Sequence, residues 1–121
     1  MKSKILILLM AIVAIVAVAG CTFLQPTGSA VTSDIDETAL AKFLTEKGAV
    51  MYGTEWCSHC QTQKALFGDD FKYINFVNCD TQTALCDASG VRGYPTWIIN
   101  GQKYEGEQTI DRLAQLVGYV Q

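Results

Sequence analysis

The chain has 121 residues, half of them hydrophobic, and a formal net charge of −3. This length allows one globular domain and a short appendage. Lysine and arginine form no cluster along the sequence, which argues against nucleic-acid binding because phosphate neutralisation needs clustered basic side chains.

The N-terminal residues predict export from the cytoplasm. Ile5 to Gly20 contains no charged residue and follows two lysines, the layout of a secretory signal peptide. Residues 18–21, Val-Ala-Gly-Cys, resemble a lipobox, where the leader is cut before a cysteine that receives lipid, so Cys21 is the predicted lipidation site. The alternative is an uncleaved anchor, since the apolar stretch extends to Leu24 and approaches the roughly 20 residues that a membrane-spanning helix needs. Both alternatives predict an extracytoplasmic domain attached to the membrane.

Composition divides the chain into three parts. Residues 1–20 are the predicted signal peptide or anchor, residues 21–33 a small, polar, flexible tether, and residues 34–121 the folded domain. Without residues 1–20 the chain keeps 7 basic and 12 acidic residues. With Cys21 assigned to lipid, four of the five cysteines remain. This even number fits two disulfides in an oxidising compartment.

The domain is predicted to begin with a helix capped by Asp34, with Glu37 completing the capping box, and this helix ends at Gly48. The later elements are, in chain order, a buried strand (49–54), a helix (57–67), a buried strand (73–77), a helix (81–88), a hairpin (96–99 and 103–105, around Asn100-Gly101) and a closing helix (110–117). Strands separated by helices predict parallel pairing, and the hairpin adds an antiparallel edge. The expected fold class is α/β, with a central mixed four-stranded sheet flanked by helices.

The segment Trp56-Cys57-Ser58-His59-Cys60 follows a predicted strand and begins a helix. Two cysteines three residues apart in a first helical turn face the same way and can form a disulfide. At the helix N-terminus, Cys57 lies near unpaired backbone N–H groups and the positive end of the helix dipole, which favour the thiolate. Cys60 is expected to be more buried and to act as the resolving thiol. Protonated His59 further stabilises the Cys57 thiolate, which favours the reduced form and gives a more oxidising couple.

Two other interpretations of this motif are a zinc site and a purely structural disulfide. A zinc site could combine it with His59, Cys79 or Cys86, but structural zinc sites use a second ligand pair at short spacing, and six residues separate Cys79 from Cys86. A purely structural disulfide is the other alternative, and the position between a strand and a helix argues against it. We therefore expect a redox-active pair that requires no metal or organic cofactor.

Together with Gly93-Tyr94-Pro95-Thr96 some 35 residues later, the Trp-Cys-x-x-Cys motif resembles the thioredoxin superfamily over about residues 36–120. The resemblance implies a thioredoxin-like fold and a cis proline at Pro95, whose loop lies against the two cysteines. It also implies that the backbone of Tyr94 pairs with the substrate. Trp56 is expected to be half exposed beside the motif, as part of the substrate-binding surface.

A wider set of residues is similar to the thioredoxin-like domain fused to, or paired with, bacterial homologues of vitamin K epoxide reductase. These residues are Tyr52-Gly53, Trp56-Cys57, His59-Cys60-Gln61, Cys79, Leu85-Cys86, the 93–97 segment, Asn100-Gly101, Tyr104 and Gly106. In such systems the membrane enzyme passes electrons from the soluble CxxC to quinone. The resemblance implies a separate quinone-linked membrane oxidoreductase as partner.

The sequence departs from the thioredoxin pattern at two positions. Thioredoxins keep a buried carboxylate six residues before the first cysteine, and this chain has Met51 there. Glu55 is the only carboxylate near the motif and is expected to be a solvated surface charge, so proton transfer from Cys60 would rely on water or His59. Ser58 replaces the more usual proline or glycine.

Cys79 and Cys86 have two possible roles. They can form a structural disulfide that joins a strand to the next helix, which is the preferred interpretation because small exported domains commonly need one. The alternative is a second redox pair that relays electrons.

The sequence thus predicts a membrane-tethered thiol–disulfide oxidoreductase that acts on exported protein thiols and disulfides. Cys57 and Cys60 exchange, His59 tunes the thiolate, and Trp56, Tyr94 and Pro95 bind substrate. We expect it to form disulfides and to be re-oxidised by the quinone-linked enzyme. The alternatives are a thiol reductase, for cytochrome maturation or disulfide repair, and a non-catalytic binding or chaperone module.

Overall fold

A computed structural model describes residues 34–121. The predicted signal segment 1–20, the lipidation site Cys21 and the tether 21–33 lie outside these residues. No helix in the described part of the chain is long and apolar enough to cross a membrane.

The elements alternate along the chain as the sequence predicts. They are α1 (Glu37–Glu46), β1 (Val50–Gly53), α2 (Ser58–Ala65), a 3₁₀ helix (Gly68–Tyr73), β2 (Phe76–Asn78), α3 (Thr83–Ala88), β3 (Thr96–Ile99), β4 (Gln102–Glu105) and α4 (Ile110–Val117). The β3–β4 turn has positive φ at both Asn100 and Gly101, which matches the mirror-image turn that Asn-Gly favours in hairpins.

The predicted cap of the first helix was wrong. Asp36, and not Asp34, caps α1, because its carboxylate accepts the Ala39 N–H at 3.0 Å. Glu37 is then the first helical residue, and it cannot complete a capping box, which needs the third helical position.

The second strand begins three residues later than predicted. The unpredicted 3₁₀ helix occupies the chain up to Tyr73. The Thr45 hydroxyl of α1 then donates to the Tyr73 carbonyl at 2.6 Å and accepts the Asn75 N–H at 3.1 Å. These two hydrogen bonds fix the bend that precedes β2.

The sheet is mixed, with strand order β2-β1-β3-β4. β1 and β2 are parallel as predicted, and the hairpin strands β3 and β4 are antiparallel. The expectation of parallel pairing fails for β3, which runs antiparallel to β1 with Thr96 opposite Tyr52. Because Gly53 lies opposite Asn78, the end of β2 and the start of β3 lie at the same end of the strands. The α3 segment therefore connects them at that end and does not cross to the opposite end of the sheet.

This arrangement brings two loops together at the C-terminal end of β1. The chain leaves β1 at Gly53 and reaches Cys57 four residues later. The Tyr94–Pro95 segment enters β3 at Thr96, beside the end of β1. The cysteine motif and the proline loop therefore meet in space although almost 40 residues separate them.

Two hydrophobic clusters cover the two faces of the sheet. Met51 and Tyr52 are neighbours in β1 and point to opposite faces, as successive strand residues do. The larger cluster includes Met51, both motif cysteines and buried residues of α1, β3 and α4: Leu40, Leu44, Trp97, Ile99 and Leu113. The smaller cluster contains Tyr52, Val77, Cys79 and Cys86.

Candidate active site

Cys57 caps the N-terminus of α2. Its backbone is extended, with φ −72° and ψ 116°, and its sulfur accepts the Cys60 N–H at 3.2 Å. A cysteine in this position satisfies one of the N–H groups that every helix start leaves unpaired, and the same N–H stabilises a negative charge on the sulfur. Cys57 is a free thiol and is 8% exposed.

Cys60 is also a free thiol and is fully buried one turn into α2. Burial, reinforced by a hydrogen bond with Cys57, raises the pKa of the Cys60 thiol to about 12, although a backbone hydrogen bond with Thr54 and the positive charge of Lys64 act against the rise. Cys60 is therefore protonated at neutral pH. The two thiols differ in environment, because Cys57 lies at the helix N-terminus and Cys60 is enclosed one turn further on.

Gly53 makes the room for the Cys60 sulfur. A Cβ atom at Gly53 would lie 2.7 Å from Cys60 Sγ and 3.3 Å from Phe76 Cε2. The end of β1 thus packs directly on the Cys60 sulfur. No role for this glycine was predicted, although a glycine at the end of a buried strand signals a close approach of another group.

The loop that contains Tyr94 and Pro95 lies against Cys57. The Tyr94–Pro95 peptide bond is cis, Pro95 is fully buried, and the Cys57 thiol donates to the Tyr94 carbonyl at 3.7 Å. The structure therefore brings together Cys57, Cys60, Tyr94 and Pro95, as the sequence predicted. A substrate role for Tyr94 and Pro95 stays a prediction.

Trp56 lies on the surface beside the motif. It is 70% exposed, more than the half expected. Its Nε1–H donates to Asp80 Oδ1 at 3.0 Å, and its ring meets Tyr94 edge-on, with 6.4 Å between centroids. The indole is thus fixed at both ends while its outer face remains open to a partner.

His59 is exposed on α2 and contacts an acidic residue from another element. Its Nδ1 lies 2.6 Å from Glu107 Oε1 in the loop between β4 and α4. Within residues 34–121, His59 makes no hydrogen bond with the Cys57 sulfur. Any influence of His59 on that sulfur is therefore electrostatic.

The loop that carries Glu107 is anchored to α2 by a second residue, Gln63. This amide is fully buried; its Nε2 donates to the Gln108 carbonyl at 3.0 Å and its Oε1 accepts the Gln108 N–H at 2.6 Å. Neither Gln63 nor Glu107 was identified from the sequence. The pattern offered no signal, because these contacts join residues 45 and 48 positions apart.

A comparison with models of known protein families matches residues 30–119 to thioredoxin. The chain belongs to the thioredoxin family. Thiol-disulfide oxidoreductase LTO1 of Arabidopsis thaliana is 40% identical over 90 residues, which cover 67% of this chain and 24% of that protein. Protein disulfide isomerase-like 2-2 of Oryza sativa subsp. japonica is 33% identical over 87 residues, covering 60% of this chain and 24% of that protein.

Among solved structures, a thioredoxin from Malassezia sympodialis matches with 23% identity and a TM-score of 0.43, covering 59% of this chain and 72% of that one. The chain spans about a quarter of the length of the two plant proteins. The family relationship is confirmed. The comparisons give no support to the pairing with a vitamin K epoxide reductase homologue.

The thioredoxin domain is apolar at the position where thioredoxins keep a buried carboxylate. Met51 is fully buried opposite Trp97. The Trp97 Nε1–H has no hydrogen-bond partner within residues 34–121. Glu55 instead lies at the surface and pairs with Lys64 Nζ at 2.8 Å. No carboxylate from these positions reaches the buried side of Cys60.

The thioredoxin domain also contains a disulfide between Cys79 and Cys86, with an S–S distance of 2.02 Å. It joins the end of β2 to α3, and both residues are at most 5% exposed. In the part of the chain that the structure describes, no group of three or more His, Cys, Asp or Glu side chains is arranged to hold a metal ion.

Proposed function

We propose that this chain is a membrane-tethered, extracytoplasmic thiol–disulfide oxidoreductase that uses Cys57 and Cys60 to form disulfides in exported proteins. The observation that carries the proposal is the Cys57 sulfur, held by the Cys60 N–H at a helix N-terminus and facing the Tyr94 carbonyl. A sulfur in this position is stabilised as a thiolate and faces a backbone against which a substrate segment can lie.

The exchange begins when a substrate thiolate attacks Cys57 Sγ of the oxidised site. The Cys57–Cys60 bond breaks, Cys60 leaves with the electron pair, and it takes up a proton. A second substrate thiol loses its proton and attacks the substrate sulfur bound to Cys57. The substrate disulfide forms and Cys57 leaves as a thiolate. The site has gained two electrons and has the free thiols of the present structure.

The proposed direction of transfer is supported by the hydrogen bond at Cys57. The hydrogen bond to Cys57 favours the thiolate, and a stabilised thiolate makes the couple more oxidising. We further propose that a quinone-linked membrane enzyme removes the two electrons. This step is supported by the resemblance of the motif residues to thioredoxin-like domains that work with such enzymes.

The proposed location is supported by the N-terminal sequence alone. An uncharged apolar segment follows two lysines and precedes Cys21, which fits a lipoprotein signal. The names of the relatives, thiol-disulfide oxidoreductase and protein disulfide isomerase, support protein thiols and disulfides as substrates.

The test combines activity with an equilibrium measurement. Full chain carrying Cys21→Ser is assayed for insulin reduction, for oxidation of a reduced substrate protein, and for the ratio [GSH]²/[GSSG] at which half of the Cys57–Cys60 pairs are reduced. A disulfide former oxidises the substrate and is half reduced at a low ratio. A reductase reduces insulin and is half reduced only at a high ratio.

The matched variants are Cys57→Ser and Cys60→Ser. Cys57→Ser should abolish both reactions, whereas Cys60→Ser should accumulate mixed disulfides at Cys57. Absence of exchange by the folded parent protein would reject the proposal in favour of a binding module.

A further inference from the structure

We propose that Gln63 is a positioning residue that holds the Tyr94–Pro95 segment in place against the helix that carries Cys57. This inference rests on the proposed function and adds to it a residue outside the motif, one that decides how well an extended peptide substrate binds. The observation that carries it is a continuous series of hydrogen bonds from α2, through residues 105–108, to the Pro95 carbonyl.

Gln63 is fully buried in α2, three residues after Cys60 and on the same face of the helix. Its Nε2 donates to the Gln108 carbonyl at 3.0 Å, and its Oε1 accepts the Gln108 N–H at 2.6 Å. The one amide thus binds both backbone groups of a residue in the loop between β4 and α4. Because a buried amide that lost these partners would be left without hydrogen bonds, the helix and the loop stay together.

The same loop also binds the Tyr94–Pro95 segment. The Gly106 N–H donates to the Pro95 carbonyl at 2.8 Å. Between Gly106 and Gln108 the loop is closed on itself, because the Gln108 Nε2 donates to the Gly106 carbonyl at 3.3 Å. A shift of the loop relative to α2 would therefore shift Pro95 as well.

The position of this segment matters because the Tyr94 carbonyl lies 3.7 Å from Cys57 Sγ. Within residues 34–121, this contact is the only hydrogen bond that joins Cys57 or α2 directly to residues 93–96, and a thiol is a weak donor. A substrate segment that lies between Cys57 Sγ and the Tyr94 backbone needs a constant distance between them. The Gln63 hydrogen bonds supply a stronger connection that keeps this distance constant.

The sheet provides a second connection between the same two parts of the site. Thr96 pairs with Tyr52 of β1, and Cys57 follows the end of β1. That route passes through the loop of residues 54–56, whereas the Gln63 contacts bind α2 itself. The two connections are separated by removing the Gln63 hydrogen bonds while the sheet stays intact.

The experiment compares two reductants of the oxidised full chain with Cys21→Ser: an extended peptide that carries two cysteines, and 2-mercaptoethanol. In both reactions a thiolate attacks Cys57 Sγ and Cys60 leaves, and acid quenching, alkylation and mass spectrometry give the second-order rate constant. Gln63→Met removes both hydrogen bonds at nearly constant side-chain size. It should lower the constant for the peptide, whose backbone lies against Tyr94, about tenfold, and change that for 2-mercaptoethanol by less than about twofold.

Gln63→Glu gives a second, pH-dependent measurement. A protonated carboxyl both donates and accepts, as the amide does, whereas an ionised carboxylate only accepts and would face the Gln108 carbonyl. Burial favours the protonated form of the new carboxyl. Relative to the parent at the same pH, the constant for the peptide should be unchanged at about pH 5. It should fall towards that of Gln63→Met once the carboxyl ionises, which a drop in melting temperature marks.

Thr45→Val is the matched control. The Thr45 hydroxyl also donates to one backbone carbonyl, that of Tyr73, and accepts one backbone N–H, that of Asn75. These contacts lie at the opposite end of β1 from Cys57. The control should lower the melting temperature and leave the ratio of the two rate constants at the parent value.

Two results would overturn the inference: a ratio for Gln63→Met equal to that for Thr45→Val, or an equal fall of the rate constant with both reductants. If Gln63→Met does not fold, Gln63→Glu decides, and an unchanged constant for the peptide after ionisation overturns the inference. Any of these results with normal exchange by the parent protein rejects only the role of Gln63. A folded parent protein that forms no disulfide in the peptide rejects the proposed function as well.

Discussion

Replacing Gly53 with alanine tests how closely the sheet fits the resolving cysteine. The new Cβ would lie 2.7 Å from Cys60 Sγ, where ordinary contact begins at 3.4 Å, so the sulfur or the strand must move by at least 0.7 Å. Phe76 Cε2 at 3.3 Å restricts movement in a second direction. Overpacking of this kind costs about 1–3 kcal/mol, which for a domain of this size lowers the melting temperature on the order of 10 °C.

The displacement should affect the second half of the exchange reaction more than the first. In the Cys21→Ser background, the chromogenic disulfide DTNB reacts first with Cys57 and releases one thiolate; Cys60 then attacks the adduct and releases a second. Gly53→Ala should leave the first release nearly unchanged and slow the second about ten- to hundredfold, the loss expected when a reacting atom is misplaced by about 1 Å.

Gly93→Ala is the appropriate control for this experiment. Gly93 also lies beside the site, next to Tyr94, but a Cβ there would meet nothing within 4 Å. This variant should keep both release rates and the melting temperature of the parent. If Gly53→Ala also kept them, the packing of β1 on Cys60 would have no influence on the reaction and the assignment of Gly53 would be wrong.

Three further predictions concern the cysteines. In the Cys21→Ser background, release of the second thiolate should accelerate as the pH rises from 7 to 9, because burial raises the pKa of the Cys60 thiol, which must first lose its proton; a flat profile would indicate a base within the protein. Replacing Cys79 and Cys86 together by serine should cost about 2 kcal/mol of stability and leave most exchange activity, measured by chemical unfolding and insulin reduction; loss of turnover in the folded variant would make this pair a relay. Cys21→Ser should release a soluble domain or leave an uncut precursor in a bacterial host; fractionation identical to the parent would support an uncleaved anchor.

The raised pKa of Cys60 also links stability to pH. A thiol whose folded-state pKa is raised from 9.0 to about 12 contributes stability below pH 9 that is lost as the pH rises towards 12. The free energy of unfolding should therefore fall over that interval, and Cys60→Ser should remove this contribution to its pH dependence.

The parts of the fold that depend on local signals were predictable. Asn100-Gly101 predicted the hairpin, and the apolar spacing of Leu113 and Val117 predicted α4 together with its end at Gly118. The 3₁₀ helix and the late start of β2 were not, because a tertiary hydrogen bond from Thr45 sets them. The antiparallel direction of β3 depends on where the α3 segment packs, which strand and helix order alone leaves open.

The residues of the site also divide into those that the sequence identifies and those that depend on the fold. Cys57, Cys60 and Pro95 could be identified because they belong to sequence motifs that resemble those of the thioredoxin superfamily. Gly53, Gln63 and Glu107 could not be identified, because their contacts are with residues distant in the sequence. Gly53 packs on a sulfur, Gln63 binds a backbone amide and Glu107 contacts an imidazole.

The two tryptophans lie in opposite environments, and this gives the protein two optical reporters. Trp97 is fully enclosed and packs against Phe67, so its emission changes when the core opens. Trp56 is mostly in solvent and adjacent to Cys57, so a nearby disulfide, a bound peptide or a quencher in solution alters its emission while the core stays closed. Fluorescence from a Trp97→Phe variant would therefore follow the redox and binding state of the site, and fluorescence from a Trp56→Phe variant would follow unfolding.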